Sequence, residues 1–134
     1  MKILTICSKA FYNKIADIKK VLENNGHEIF LPNCYDCPET EALYRGTEKH
    51  AEFKAKMFRQ SEETISKMDA VLVLNYDKNG QKNYIGGATF LEIYDAFRLN
   101  KKIYFINDIP EGILKDELIG FNPIIINGDL SLVK

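Results

Sequence analysis

The chain is short of most features that would mark a specialised class: it has three cysteines, four prolines, no excess of charge of either sign and no long apolar run. Eighteen basic residues against nineteen acidic ones leave a formal net charge of −1, with the two signs interspersed. Without a basic stripe there is no electrostatic footprint for duplex nucleic acid or for an anionic membrane, so a small molecule is the expected partner. No apolar run approaches the roughly 18 residues that would suggest a membrane span. The opening stretch, Met1 to Ser8, is apolar too briefly for a signal-peptide core. Three cysteines, an odd number, fit reduced thiols better than a disulfide framework and make the cytoplasm the expected compartment. No repeat, low-complexity tract or long linker divides the sequence, so residues 1–134 read as one domain.

What is present is an ordinary globular balance, 46% hydrophobic and 28% charged, in a chain long enough to bury a core. Short apolar runs at Ile3–Ile6, Glu28–Leu31, Val71–Leu74, Ile103–Ile106 and Ile124–Ile126 mostly lack an alternation of two, as expected of strands covered on both faces. Helical patterns lie between them. Ile15, Ile18, Val21 and Leu22 share one face ahead of an Asn25-Gly26 stop, and Phe53, Met57, Ile65 and Met68 stripe a longer, highly charged helix. Phe90, Tyr94 and Phe97 mark a third helix over about Thr89–Asn100, and a short one is expected over Ile113–Ile119.

This alternation predicts an α/β fold of the flavodoxin-like or Rossmann-like three-layer type, a five-stranded parallel sheet in the order 2-1-3-4-5 with helices on both faces. In such sheets ligands bind beyond the carboxyl ends of the strands. Function is therefore expected in Cys7–Tyr12, Pro32–Thr47, Asn75–Thr89, Asn107–Glu111 and Asn127–Leu130. Pro32–Thr47 exceeds the usual length of such connections and is expected to act as a mobile lid ordered by ligand.

The densest signal runs from Asn75 to Glu92: Asn75 and Asp77 beyond a buried strand, then a polar loop with Asn83 and Tyr84, then Gly86-Gly87, then Thr89-x-x-Glu92 opening a helix. The glycines permit close backbone approach and positive φ, and a helix start offers N–H groups to an anion. Thr89-x-x-Glu92 also matches a capping box, in which Glu92 would bond back to the cap and carry no chemistry.

These residues, with Asp69–Leu74 before them and Lys102–Ile106 after, resemble the nucleoside 2-deoxyribosyltransferase superfamily over nearly the whole chain. The resemblance is strongest in Leu-Asn-Tyr-Asp at 74–77 and Tyr-Ile-Gly-Gly-Ala-Thr-Phe-Leu-Glu at 84–92. It implies an N-glycosidic-bond enzyme, hydrolase or base-exchanging transferase, acting on nucleosides or nucleoside 5′-monophosphates without a cofactor. Glu92 would be the nucleophile and Asp77, near Asn75, would orient it or protonate the leaving base. Ser8 to Tyr12 would border the sugar and any 5′-phosphate, while Asn75, Asn83, Tyr84, Gly86, Gly87 and Thr89 would complete the substrate site. The resemblance further implies that a neighbouring subunit completes the site. Apolar surface on Phe53, Met57, Phe58, Phe90, Tyr94 and Phe97 points independently to a homodimer or larger oligomer.

Two other readings compete. The first loop, Cys7-Ser8-Lys9-Ala10, is not glycine-rich, and Asn83, Tyr84 and Gly86 stand where an acidic residue is expected; both favour a catalytically silent nucleotide-binding or sensing module. A flavodoxin-like electron carrier ranks lower, for want of a phosphate loop and of any tryptophan. Cys34-x-x-Cys37 alone is weak as a metal or redox motif, with His50 the nearest further ligand, and no metal is expected. Arg45, Lys54 or Arg59 are the cations placed to reach a substrate phosphate.

Overall fold

Alternating apolar segments with few polar interruptions have one economical solution, a sheet buried on both faces. The computed structural model, which describes residues 1–134, shows that solution. Strands β1 (Lys2–Ile6), β2 (Glu28–Phe30), β3 (Ala70–Val73), β4 (Lys102–Phe105) and β5 (Ile124–Ile125) form one sheet in the order β2-β1-β3-β4-β5. Every pairing is parallel, with Ile6 opposite Val73 and Val73 opposite Phe105. The expected fold class and strand order are both present.

The helices follow the strands as α1 (Ile15–Asn24), α2 (Thr40–Tyr44), α3 (His50–Ser66), α4 (Gly87–Arg98) and α5 (Lys115–Gly120). A 3-10 segment, Lys9–Lys14, leads into α1. Alternate strand residues feed two cores. Ile3, Leu72 and Tyr104 face α1 through Ile15, Ile18 and Leu22. Leu4, Ile6, Val71, Val73 and Phe105 face the opposite layer through Ile65, Ile93, Ala96 and Leu118. Each large side chain removed fully from water in this way stabilises the fold by about 1.5–3 kcal/mol.

The stop at Asn25-Gly26 works as expected: Gly26 turns left-handed at φ +93, letting its N–H reach Glu23 O and the His27 N–H reach Leu22 O. Asn100, at φ +58, ends α4 in the same way, its N–H bonding Phe97 O while Lys101 N–H bonds Ala96 O.

Three expectations about elements need correction. The third helix starts at Gly87, two residues before Thr89. The second ends at Ser66, so buried Met68 belongs to the turn before β3. Pro32–Thr47 is not an open loop, because it contains α2, whose five residues include none that is buried. No helix of the structure is long and apolar enough to cross a membrane.

Candidate functional site

The switch point of a 2-1-3-4-5 sheet lies between β1 and β3, where the chain leaves in opposite directions. A cleft of about 410 Å³ opens beside it, toward β2, between the turns after β1, β2 and β3 and beneath α2 and α3.

Helix α4 supplies a half-buried acidic group, Glu92. Its N-cap is Gly86, which has no side chain with which to cap. Thr89, the third helical residue, is buried at 4% exposure, and Glu92 lies a turn further on. The capping-box reading is therefore overturned: small residues at 86–88 let the helix begin before its apparent cap. Glu92 faces the cleft instead. Burial pushes its carboxyl up to about 7; the Ser61 hydroxyl and Lys54 oppose the rise and Asp95 adds to it. Ser61 is fixed in turn by Asn33 Nδ2, 2.8 Å away. Beside Glu92, burial raises the Cys7 thiol to about 12, helped by the Glu92 charge, and burial likewise raises the Tyr12 phenol. Glu92 thus exchanges its proton near neutrality while its neighbours keep theirs.

The paired glycines act differently from expectation. Neither has positive φ. A Cβ on Gly86 would sit 3.2 Å from the Tyr84 hydroxyl and 3.4 Å from its ring, so Gly86 is the surface on which Tyr84 lies. At Gly87 a Cβ would meet nothing within 4 Å, and the residue leaves open space at the cleft wall. Tyr84 also carries a cation: Lys78 Nζ stands 4.6 Å from its ring centre and donates to Ser8 Oγ at 3.2 Å. Tyr12 packs on Tyr35, their ring centres 5.6 Å apart.

Seven of the expected site residues, Ser8, Tyr12, Tyr84, Gly86, Gly87, Thr89 and Glu92, share this cleft. Asn75, Asp77 and Asn83 do not. Asn75 is fully buried and latches β3 to β4, donating to Asn107 O and Asp108 O at 2.9 Å each and accepting from Asn107 N–H at 2.9 Å. Asp77 is exposed and accepts from Asn83 N–H at 3.0 Å. Lys78 and Gln81 exchange both backbone hydrogen bonds across Asn79-Gly80, whose φ of +50 and +80 suit a tight hairpin turn. That small hairpin carries Asp77 away from Glu92, so the expected pairing of the two carboxylates is absent. Asn83 lines a separate groove with Asp108 and Ile113.

Several cleft residues were not singled out by the sequence reading. Lys9 and Lys78 fall within the expected segments Cys7–Tyr12 and Asn75–Thr89 but carry no motif of their own. Ser61 lies seven residues beyond Lys54 on the same face of α3, a spacing that could have revealed it. Of the cations expected near a phosphate, Arg45 and Lys54 line the cleft while Arg59 lies on a neighbouring surface groove. Glu41 on α2 meets Lys54 Nζ at 3.1 Å, Lys9 Nζ at 3.3 Å and Arg45 at 3.6 Å. Partial burial would raise the Glu41 carboxyl, but Lys54 and Lys9 outweigh it and bring it down to about 2. The cysteines are free thiols: Cys7 is buried, Cys34 donates to Met57 Sδ at 3.6 Å and Cys37 is exposed. His50 turns to Glu41, with Nε2 at 3.7 Å from Oε1.

No protein-family model matches the chain, and no curated protein matches it. Among solved structures it is similar to FerB, a flavoenzyme NAD(P)H:(acceptor) oxidoreductase from Paracoccus denitrificans, at 15% identity and a TM-score of 0.50 over 93% of this chain and 74% of that one. At that identity the likeness carries the fold. It also overturns the glycosidic reading: the architecture is shared with a redox enzyme, and no comparison supports transfer or hydrolysis of a glycosidic bond. The nucleotide-metabolism function and its catalytically silent alternative are both set aside.

A flavin fits these residues poorly. In this architecture its phosphate would lie on the turn after β1, in a cradle of outward N–H groups. Here Ser8 turns that loop inward: its Oγ accepts from Ala10 N–H and its carbonyl from Phe11 N–H. Phe11 is buried in the core and no glycine opens the turn.

Proposed function

We propose that the cleft binds an anionic small molecule and that Glu92 exchanges a proton with it, acting as general acid or base. The observation that carries this reading is one juxtaposition. Four cations, Lys9, Arg45, Lys54 and Lys78, border a cleft whose only carboxyls are Glu41 and Glu92, in a chain of net charge −1. A carboxyl that titrates near 7 has the proton affinity best matched to catalysis at neutral pH. The lysines attract the ligand, Tyr84 and Tyr12 supply flat apolar walls, and the space at Gly87 admits the reacting group beside Glu92. The likeness of Gly-x-Thr-x-x-Glu to the nucleoside 2-deoxyribosyltransferase superfamily is kept as a proposal of shared ancestry and architecture alone. A cytoplasmic protein and a homo-oligomer joined through exposed Phe58, Leu91, Tyr94 and Phe97 belong to the same proposal.

The test is thermal melting with a phosphorylated small molecule and with its neutral parent, followed by Lys78→Met. A phosphate monoester at ten times its Kd should stabilise the wild type by about 1.4 kcal/mol. The neutral parent should do nothing and Lys78→Met should weaken the effect. Equal responses to charged and neutral forms would refute the anionic reading. FerB shares the fold, and the closed turn after β1 argues against a flavin here; oxidation of NADH or NADPH in the presence of added flavin would overturn that and decide for oxidoreductase chemistry.

A further inference from the structure

Glu41 is an unusual wall for a cleft that attracts anions. It sits on α2, yet its partners Lys9 and Lys54 belong to the turn after β1 and to α3. Arg45, the residue that ends the same helix, adds a third cation at 3.6 Å. Beside them the buried Nε2 of His50 has no hydrogen-bond partner, although it lies 3.7 Å from Glu41 Oε1. Only Lys9 and Lys54 stand within hydrogen-bond distance of the carboxylate, and Arg45 and His50 lie just beyond it, at 3.6 and 3.7 Å.

We infer that Glu41 is a built-in placeholder: it occupies the position of a ligand's phosphate monoester, and a dianionic phosphate displaces it from Lys9 and Lys54, releasing α2. The inference rests on the anionic-ligand reading above and names its ligand class. The choice of phosphate follows from charge. A free monocarboxylate offers the lysines nothing that Glu41 lacks, and Glu41 competes at the millimolar or higher effective concentration of a tethered group. Only a group with more charge and more acceptor oxygens gains by the exchange, and a phosphate dianion has both. Helix α2 buries no side chain completely: Tyr44 packs on Phe53 of α3, ring centres 5.4 Å apart, and Glu41 adds the ion pairs to Lys9 and Lys54 that a ligand would break. Ligand binding should therefore loosen Thr40–Arg45, the reverse of a lid that closes.

The experiment is amide hydrogen exchange on the whole wild-type chain with inorganic phosphate or with acetate at matched ionic strength. Calorimetric titration of phosphate into wild type and Glu41→Gln accompanies it. Phosphate should speed exchange over residues 40–45 several-fold, and acetate should leave it unchanged. Glu41→Gln should bind phosphate about tenfold more tightly, the gain expected if the placeholder leaves the lysines free about a tenth of the time, and should show fast exchange without ligand. Slower or unchanged exchange at 40–45 in phosphate-bound wild type would overturn the inference even if the variant failed to fold. Equal or weaker phosphate binding by a folded Glu41→Gln would also overturn it, leaving the anionic-ligand reading intact. If neither protein binds phosphate, the inference falls, and the comparison of charged and neutral ligands by melting decides the anionic reading separately.

Discussion

Replacing Glu92 by Gln keeps the shape of the side chain and removes its titration. The carboxyl has an ordinary value of 4.5 and is raised by burial to about 7 in the folded protein. The folded state thus holds the Glu92 proton more tightly than the unfolded state does. Below pH 4.5 both states are protonated and the group costs nothing. Between pH 4.5 and 7 the unfolded chain gives up the proton while the folded one keeps it, so stability falls as pH rises, levelling above 7. At about 1.4 kcal/mol per pH unit, the whole window is worth ~3 kcal/mol as a ceiling. Glu92→Gln should match wild type near pH 4.5 and exceed it by up to ~3 kcal/mol at pH 8, a rise of several degrees in melting temperature. Urea denaturation of both proteins at half-unit steps from pH 4.5 to 8 measures the difference, and groups common to the two cancel. A stability difference independent of pH, or one favouring wild type at pH 8, would refute the buried-acid argument.

Three further outcomes follow from the same geometry. Asn75→Ala, which breaks the latch between β3 and β4, should cost at least ~2 kcal/mol in chemical denaturation, while ligand affinity of the folded fraction stays unchanged. Gly86→Ala should cost about 1 kcal/mol because Tyr84 must leave its place on Lys78, whereas Gly87→Ala should gain roughly 0.5–1 kcal/mol; differential scanning calorimetry of the pair shows the opposite signs. Iodoacetamide at pH 8 should label exposed Cys37 readily and leave Cys7, buried and raised to about 12, unmodified in native protein, as peptide mass spectrometry would record.

The sheet was legible because its strands are apolar on both faces: Val71 and Leu72 point into different layers, yet both must be hydrophobic. Strand ends were read about a residue late because flanking Lys2, Ala70 and Lys102 pair in the ladder without adding to an apolar run. Helix α2 left no trace, since five residues with no fully buried side chain make no stripe to read. The sequence reading placed Glu92 on the side of the sheet where the cleft lies but misplaced the start of its helix, because Ala88 and two glycines read as loop although they fit a first turn. Asn75 and Asp77 misled through adjacency: the first turned inward to hold backbone, and the second was carried out by a hairpin. The meeting of Glu41 with Lys9 and Lys54 joins residues 32 and 13 positions apart, through the packing of three elements. No local pattern encodes it.

The two outermost strands of the sheet are also its shortest, with three residues in β2 and two in β5. An unpaired strand offers a foreign chain a row of backbone donors and acceptors, and long flat edges seed aggregation. Edges this brief present only a few such groups. A partner strand would gain too little there to repay the ordering of its own backbone. Edge-to-edge pairing between copies of this chain is disfavoured for the same reason. Continuous strand stacking into fibres has no adequate starting ledge in the native state.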